Sequence, residues 1–310
     1  MKINLTNIKK AEKLLNKNEC IAIPTETVYG LAGNAYSDKA CKKIFRLKKR
    51  PKENPLIIHY FDLKDLKKDC FYNSNFLKLY KRFCPGPLTF ILDIKKNSNI
   101  SKIATNHKKT LAVRFPKHSI TRSLLKTLKY PLAAPSANLS SKVSAISSSD
   151  VKEDFGKKIK YVLEGGRSEI GLESTIIDIR KKPKVLRLGG LTLSSIQKNF
   201  KEKIRINNNP SKISTPGQFK IHYSPGIPIR LNVKKTKKNE ALLFLKKKNK
   251  MKLNYYFLSK NGNLQEAAKN LYMTLRRIKK DNFKSIAVSK IPNRGLGKTI
   301  NDRLIRASKF

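Results

Sequence analysis

A chain of 310 residues with 39% apolar side chains has the material for one large core or two ordinary ones. Its 69 lysines and arginines against 21 acidic residues leave a formal charge of +48, a field that draws polyanions such as nucleotides and RNA. No apolar run approaches ~18 residues, Lys9, Lys10 and Lys13 interrupt any signal-like core, and Cys20, Cys41, Cys70 and Cys84 lie far apart, which argues against a membrane span, a zinc site or a disulfide framework and for a soluble cytoplasmic protein with reduced thiols.

The first helix is expected to start at an N-cap Thr6, with Ile8, Ala11, Leu14 and Leu15 as its apolar stripe. Ile21-Ala22-Ile23 then reads as a buried strand that Pro24 ends. Thr25, Glu26 and Thr27 are thereby presented at a strand end, where ligand crevices of open α/β sheets lie. A helical pattern over residues 38–47 leads into the cations Lys48-Lys49-Arg50 and on to the apolar run Leu56-Ile57-Ile58-His59. A hydroxyl-rich turn facing such a loop suits a small polar acid plus a polyphosphate, because guanidinium pairs bidentately with carboxylate or phosphate.

Strands are predicted over residues 20–23, 56–60, 89–92, 110–115, 132–134, 161–163, 174–179 and 185–188, with helical patterns between several of them. That alternation predicts an α/β domain on a mixed, twisted sheet. In the stretch 110–115 the period of two puts Thr110, Ala112 and Arg114 on one face and Leu111, Val113 and Phe115 on the other. Ala133-Ala134-Pro135-Ser136-Ala137-Asn138 ends a strand in a polar turn, and Gly171-Leu172-Glu173-Ser174 leads into the next strand, with Arg187 closing the one after.

From Asn207 the texture changes to Pro, Gly and Ser without periodicity. Apolar runs at 241–245, 255–258 and 286–288, with an amphipathic stretch at 264–278, predict a small Rossmann-like domain. The expected division is a catalytic domain over 1–206, a linker over 207–230 and a second domain over 231–310. Gly295-Leu296-Gly297-Lys298-Thr299 has the look of half a phosphate-binding P-loop, but Pro292 stands where its first glycine is needed, so it reads as a turn opening the final helix.

Taken in order, PTETVYGL (from Pro24), KKRPKENPLIIH (from Lys48), TLAVRFP (from Thr110), APSANLS (from Ala134), GLESTIID (from Gly171) and VLRLGG (from Val185) resemble the Sua5/YrdC family, the threonylcarbamoyl-AMP synthases. The segment 214–225 is similar to the Sua5 linker and 295–307 to its C-terminal motif, so the resemblance spans the chain. It implies a YrdC-like twisted mixed-sheet catalytic domain with a smaller Sua5 domain. It also implies a nucleotidyltransferase that condenses L-threonine, bicarbonate and ATP into threonylcarbamoyl-AMP, with magnesium on the phosphates and no protein ligand for it assigned. Threonine-binding positions carry over to Thr27, His59, Arg114, Ser136 and Ser174. ATP-binding positions carry over to Lys48, Arg50, Asn54, Thr110, Asn138, Ser144, Ile146, Arg187 and Tyr223, of which Ile146 can serve only through its backbone. Departures are Ser141 in place of glycine and Leu188 in place of proline. No general base is nominated, Glu26 and Glu173 being candidates only by their place in the motifs. The product passes to a separate transferase that modifies tRNA, and direct contact with tRNA is open.

Two rival readings stand beside this one. Carbamoyl transfer in hydrogenase maturation uses a related domain, but with an acylphosphatase region and zinc-finger cysteines that this sequence lacks. A basic RNA-binding protein of the same fold, without catalysis, fits the charge alone.

Overall fold

A computed structural model describes residues 3–207 and 221–309. The first helix, α1 (Leu5–Asn16), is capped by Asn4, whose Oδ1 accepts the Asn7 amide at 3.2 Å. Thr6 lies inside the first turn and is not the cap. An asparagine just ahead of the helix can satisfy an end N–H, which a residue within the turn cannot. Ile8, Ala11 and Leu15 of the expected stripe are buried.

The remaining helices are α2 (Asp38–Lys48), α3 (Leu63–Asp69), α4 (Ser74–Phe83), α5 (Lys102–Thr105), α6 (Ser119–Thr127), α7 (Ser148–Phe155), α8 (Leu193–Gln197), α9 (Leu264–Lys280) and α10 (Leu296–Ala307). The first ten strands are β1 (Ile21–Ile23), β2 (Gly30–Asn34), β3 (Ile57–His59), β4 (Cys70–Phe71), β5 (Leu88–Ile94), β6 (Thr110–Arg114), β7 (Leu132–Ala133), β8 (Thr175–Asp178), β9 (Lys184–Arg187) and β10 (Arg205–Ile206). They form one mixed sheet in the order β1-β2-β7-β3-β6-β5-β8-β9-β10, with β4 on β5. The mixed α/β sheet is the one expected.

Strand β2 was not expected, because the sequence Gly-Leu-Ala-Gly-Asn carries two turn-forming glycines. Packing accounts for the second: a Cβ on Gly33 would stand 3.3 Å from both Ala40 and Ile44 of α2, so a residue without one lets the helix approach closely. The short strands β4 and β10 also carry no readable pattern. Residues 161–163 form a single bridge, Ala22 to Val162, in place of the predicted strand.

The faces of β6 divide as its period predicts. Leu111, Val113 and Phe115 join the main core with Phe45 of α2 and with Phe76 and Leu79 of α4. Ala112 turns to the opposite face, where Ile57, Ile91, Ile176 and Leu186 form a small apolar floor.

Four more strands, β11 (Ile229–Leu231), β12 (Glu240–Lys246), β13 (Tyr255–Ser259) and β14 (Ser285–Val288), make a second, all-parallel sheet in the order β11-β14-β12-β13. One face packs on α9 and α10 through Ala241, Leu243, Leu271, Ile286 and Ile300. The same core takes in Val28, Val143, Ile146 and Leu172 from the first part of the chain. Each such side chain withdrawn from water contributes about 1.5–3 kcal/mol before entropy is counted, so the two sheets share an apolar seam. The linker positions 208–220 lie outside the described residues, whereas His222 and Tyr223 are inside them. Among the described residues no helix is long and apolar enough to cross a membrane.

Candidate active site

One transverse row of the large sheet organises the site. Register places His59 beside Arg114, Arg114 beside Thr89, Thr89 beside Ile176, and Ile176 beside Arg187. At about 4.8 Å per strand, Arg114 and Arg187 stand roughly 14 Å apart on one face. That gives two cationic stations at a separation suited to two ligands.

Around the first station, Thr25 accepts the amides of Thr27 and Val28 at 3.2 Å and donates to the Val28 carbonyl at 2.6 Å, which turns the chain after Pro24. Glu26 then meets Arg114: Nη2 donates to Oε1 at 2.8 Å, and the Lys117 amide donates to Oε2 at 3.0 Å. Arg114 Nε is buried without a hydrogen-bond partner. The guanidinium is thus fixed along one edge and has donor capacity left for a carboxylate. His59 Nδ1 is likewise unpartnered, and burial, helped by Arg114, pushes its ring down to about 3. It works as a neutral hydrogen-bonding group.

The second station crowds cations. Arg50 Nε donates to the Asn54 carbonyl at 2.8 Å and Nη2 to the Pro55 carbonyl at 2.9 Å. Arg187 donates from Nε and Nη2 to the Ser174 carbonyl at 3.0 and 2.8 Å, and from Nη2 to Ser174 Oγ at 3.1 Å. Burial, with Arg187 nearby, lowers Arg50 to about 9. Burial and Arg50 lower Lys48 well below its usual range, and its Nζ donates to the carbonyls of Ser136, at 2.5 Å, and of Asn138. Three desolvated cations that disfavour one another's charge are a place where an anion is stabilising.

Glu173 and Tyr223 close this side. Burial opposes the charge on Glu173, but Arg303 and Arg187 outweigh it, and with the Ser144 hydroxyl they hold the carboxyl at about 2. Tyr223 is buried in a left-handed conformation, φ 64°, and its hydroxyl is pushed up to about 12 chiefly by burial.

Of the sequence-predicted residues, His59, Arg114, Ser136, Ser174, Arg50, Arg187 and Tyr223 line one cleft. Thr27 is buried just behind it, its hydroxyl 2.8 Å from that of Thr25, which takes the lining position. Lys48, Asn54, Asn138 and Ser144 form a buried layer around it: Asn54 Oδ1 and Asn138 Oδ1 have no partner, and Ser144 donates to Glu173 at 2.6 Å. Two positions stand away from the cleft lining. Thr110 is at the far end of β6, about 13 Å from Arg114 along the strand. The Ile146 amide is engaged by Asp150 at 2.9 Å and its carbonyl by the Ser168 amide at 2.8 Å, while its side chain packs in the shared core. Sequence reasoning missed Thr25 and His222 as lining residues, although both neighbour positions it named. Ser141 sits at φ 66°, which explains why a glycine suits that position.

Neither candidate base fits that role. Both Glu26 oxygens are engaged, and a carboxyl at about 2 is a weak proton acceptor. The two cleft histidines, His59 buried and His222 half-buried, do give a testable signature. His59 and His222 sit near 3 against an ordinary 6.5, both chiefly through burial. Below pH 6.5 the unfolded chain therefore binds protons that the folded chain refuses. Their contribution to stability is whole above that pH and declines as pH falls toward 3, by up to about 1.4 kcal/mol per pH unit for each ring. Denaturant midpoints should fall between about pH 6 and pH 5, above the carboxylate range, and His222→Asn should flatten the slope; an unchanged slope in the variant would contradict the assignment.

Comparisons with known proteins find relatives for both halves of the chain. A family model covering Sua5, YciO and YrdC, described as telomere recombination, matches residues 13–189. A second, described as the C-terminal domain of threonylcarbamoyl-AMP synthase, matches residues 185–309. A threonylcarbamoyl-AMP synthase of Pyrococcus abyssi is 35% identical over 98% of this chain and 94% of its own length. That of Bacillus subtilis is 33% identical with the same coverage, 98% and 94%. The crystal structure of P. abyssi Sua5 complexed with L-threonine superposes with a TM-score of 0.91 at 32% identity, covering 100% of this chain and 96% of that one. With family models across both halves, near-full-length relatives and a shared two-sheet structure, the chain belongs to the Sua5/YrdC family, Sua5 type.

Proposed function

We propose that this chain is an L-threonylcarbamoyladenylate synthase, a nucleotidyltransferase that supplies the threonylcarbamoyl group for tRNA modification. The observation that carries the reading is the pair of cationic stations on one sheet face. Arg114, held by Glu26, would take an amino-acid carboxylate, and Lys48, Arg50 and Arg187 would take a polyphosphate. A P. abyssi relative was solved with L-threonine. A non-catalytic RNA-binding role would leave these cations unexplained, because side chains that line a cleft or lie buried behind it cannot reach a duplex backbone.

In the proposed reaction the threonine amine attacks the carbon of bicarbonate, forming a carbamate as water leaves. A carbamate oxygen then attacks the α-phosphorus of ATP, and the bond to the bridging oxygen of pyrophosphate breaks. The chain's part is to hold the reactants in line and spread the phosphate charge over its cations. Glu173 is the carboxylate lining the cleft among the described residues, and its oxygens are taken by Ser144, Tyr272 and Arg303. The cleft thus does not fit a protein-bound magnesium, and the metal enters as part of the MgATP substrate.

Purified protein given threonine, bicarbonate and MgATP should yield threonylcarbamoyl-AMP by mass spectrometry. Valine should be a much poorer substrate, since the hydroxyls of Thr25, Ser136 and Ser174 would lose a partner. Absence of the product, or equal turnover of valine and threonine below saturation, would overturn the reading. The two stations should also separate kinetically. Arg114→Lys keeps charge but loses the fork and should raise mainly the threonine KM, whereas Arg50→Ala should raise mainly the ATP KM. The reverse pattern would exchange the subsites.

The product would pass to a separate transferase, and we place both in the cytoplasm with their tRNA. For direct tRNA contact we favour a second groove, where Lys181, Lys182, Lys184, Lys203 and Arg205 face Lys298 at the start of α10, with Glu202 the acidic lining residue. Binding there should weaken steeply with salt. Replacing Lys182 and Lys184 by glutamate should lower tRNA affinity and leave the ATP KM alone; unchanged tRNA affinity would exclude this groove.

A further inference from the structure

Helix α10 reaches the cleft through one side chain. Arg303 has 1% of its side chain exposed, and its Nε donates to Glu173 Oε2 at 3.0 Å. Nη2 donates to the Leu188 carbonyl at 2.6 Å and Nη1 to Asp302 at 2.5 Å. The guanidinium lies 4.6 Å from the centroid of the Tyr223 ring. Tyr272 of α9 adds its hydroxyl to Glu173, 2.9 Å from each oxygen. Glu173 and Tyr223 both line the cleft, so the second part of the chain touches it through two of its walls.

Glu173 is out of keeping with a site for a polyanion. Unpaired, its carboxylate would repel phosphate. A buried ion pair broken from one side leaves the other charge uncompensated at high cost. We propose that Arg303 is a positioning residue of the nucleotide subsite: it holds the Glu173 carboxylate in an ion pair, with the hydroxyls of Tyr272 and Ser144 donating to the same group, and so offsets that charge beside the phosphates. The proposal rests on the nucleotide occupying the Arg50–Arg187 side of the cleft, as in the proposed function. The C-terminal domain then completes the cleft electrostatically as well as covering it.

The test measures ATP affinity by calorimetry, together with both substrate KM values, on the full-length chain. Arg303→Met should weaken ATP binding by about tenfold or more and change the threonine KM at saturating ATP by less than about twofold. Adding Glu173→Gln to it should restore most of the ATP affinity, because the neutral amide no longer needs a counter-charge. A purely structural role predicts no such rescue, so a double variant as weak as the single one overturns the proposal, as does wild-type affinity in Arg303→Met. If Arg303→Met loses cooperative melting, Tyr272→Phe takes its place, with a several-fold loss expected that Glu173→Gln erases; no loss overturns the proposal. Wild-type protein that fails to bind ATP overturns the proposed function as well, whereas wild-type binding with indifferent variants counts against this inference alone.

Discussion

The cost of burying positive charge governs this molecule. Lys48, Arg114, Arg187 and Arg303 are buried and Arg50 is half-buried, and transferring each from water is unfavourable unless partners are supplied. The fold supplies two kinds. Carboxylates neutralise Arg114 and Arg303 through Glu26 and Glu173. Backbone carbonyls, which offer dipoles without charge, satisfy Lys48, Arg50 and Arg187. Lys48 and Arg50 thereby meet their hydrogen-bonding need without a carboxylate in hydrogen-bond contact. An anion entering the cleft finds donors already oriented and little reorganisation left to make.

This division shapes the sheet. Carbonyls pointing at side chains come from strand ends and turns, where the ladder leaves them unpaired, so the cations gather where β8 and β9 meet the loops holding Arg50 and Ser136. The apolar floor of Ile57, Ile91, Ala112, Ile176 and Leu186 shares the sheet face that carries His59 and Arg114. An apolar lining beside the guanidiniums lowers the local dielectric, which strengthens their pull on phosphate. Val28, Ile146 and Leu172 enter the core of the second sheet.

Much of this was legible in the sequence where period or chemistry is local. The two faces of β6, the end of β1 at Pro24 and the stripe of α9 follow from spacing alone, and the parallel second sheet follows from its alternation with α9. What was not legible depends on contacts distant in sequence. Strand β2 hides behind two glycines, of which Gly33 makes room for α2, and Thr25 rather than Thr27 lines the cleft, with the Thr27 hydroxyl behind it. Ile146 shows the same limit from the other side. The resemblance implied a backbone contact with nucleotide there, and Asp150 of the α7 capping box accepts from that amide. Nothing in the motif GLEST announced Arg303, because the ion pair joins residues 130 positions apart.

That motif shows how two demands are written into five residues. A Cβ on Gly171 would stand 2.7 Å from the Lys269 backbone of α9, and its φ of +73° suits glycine besides. Leu172 enters the shared core and Glu173 meets Arg303 and Tyr272, whereas Ser174 turns to Thr89 and Arg187 in the cleft. The first three residues therefore answer to docking of the second part of the chain, and the fourth to ligand. Gly189 locks the arrangement from behind, since a Cβ there would lie 2.4 Å from the Glu173 carbonyl. A displacement of α10 that moved Arg303 would act on Glu173, and through the rigid backbone of one residue on Ser174. The ligand face and the docking face are consecutive links of the same short segment, so they cannot be set independently.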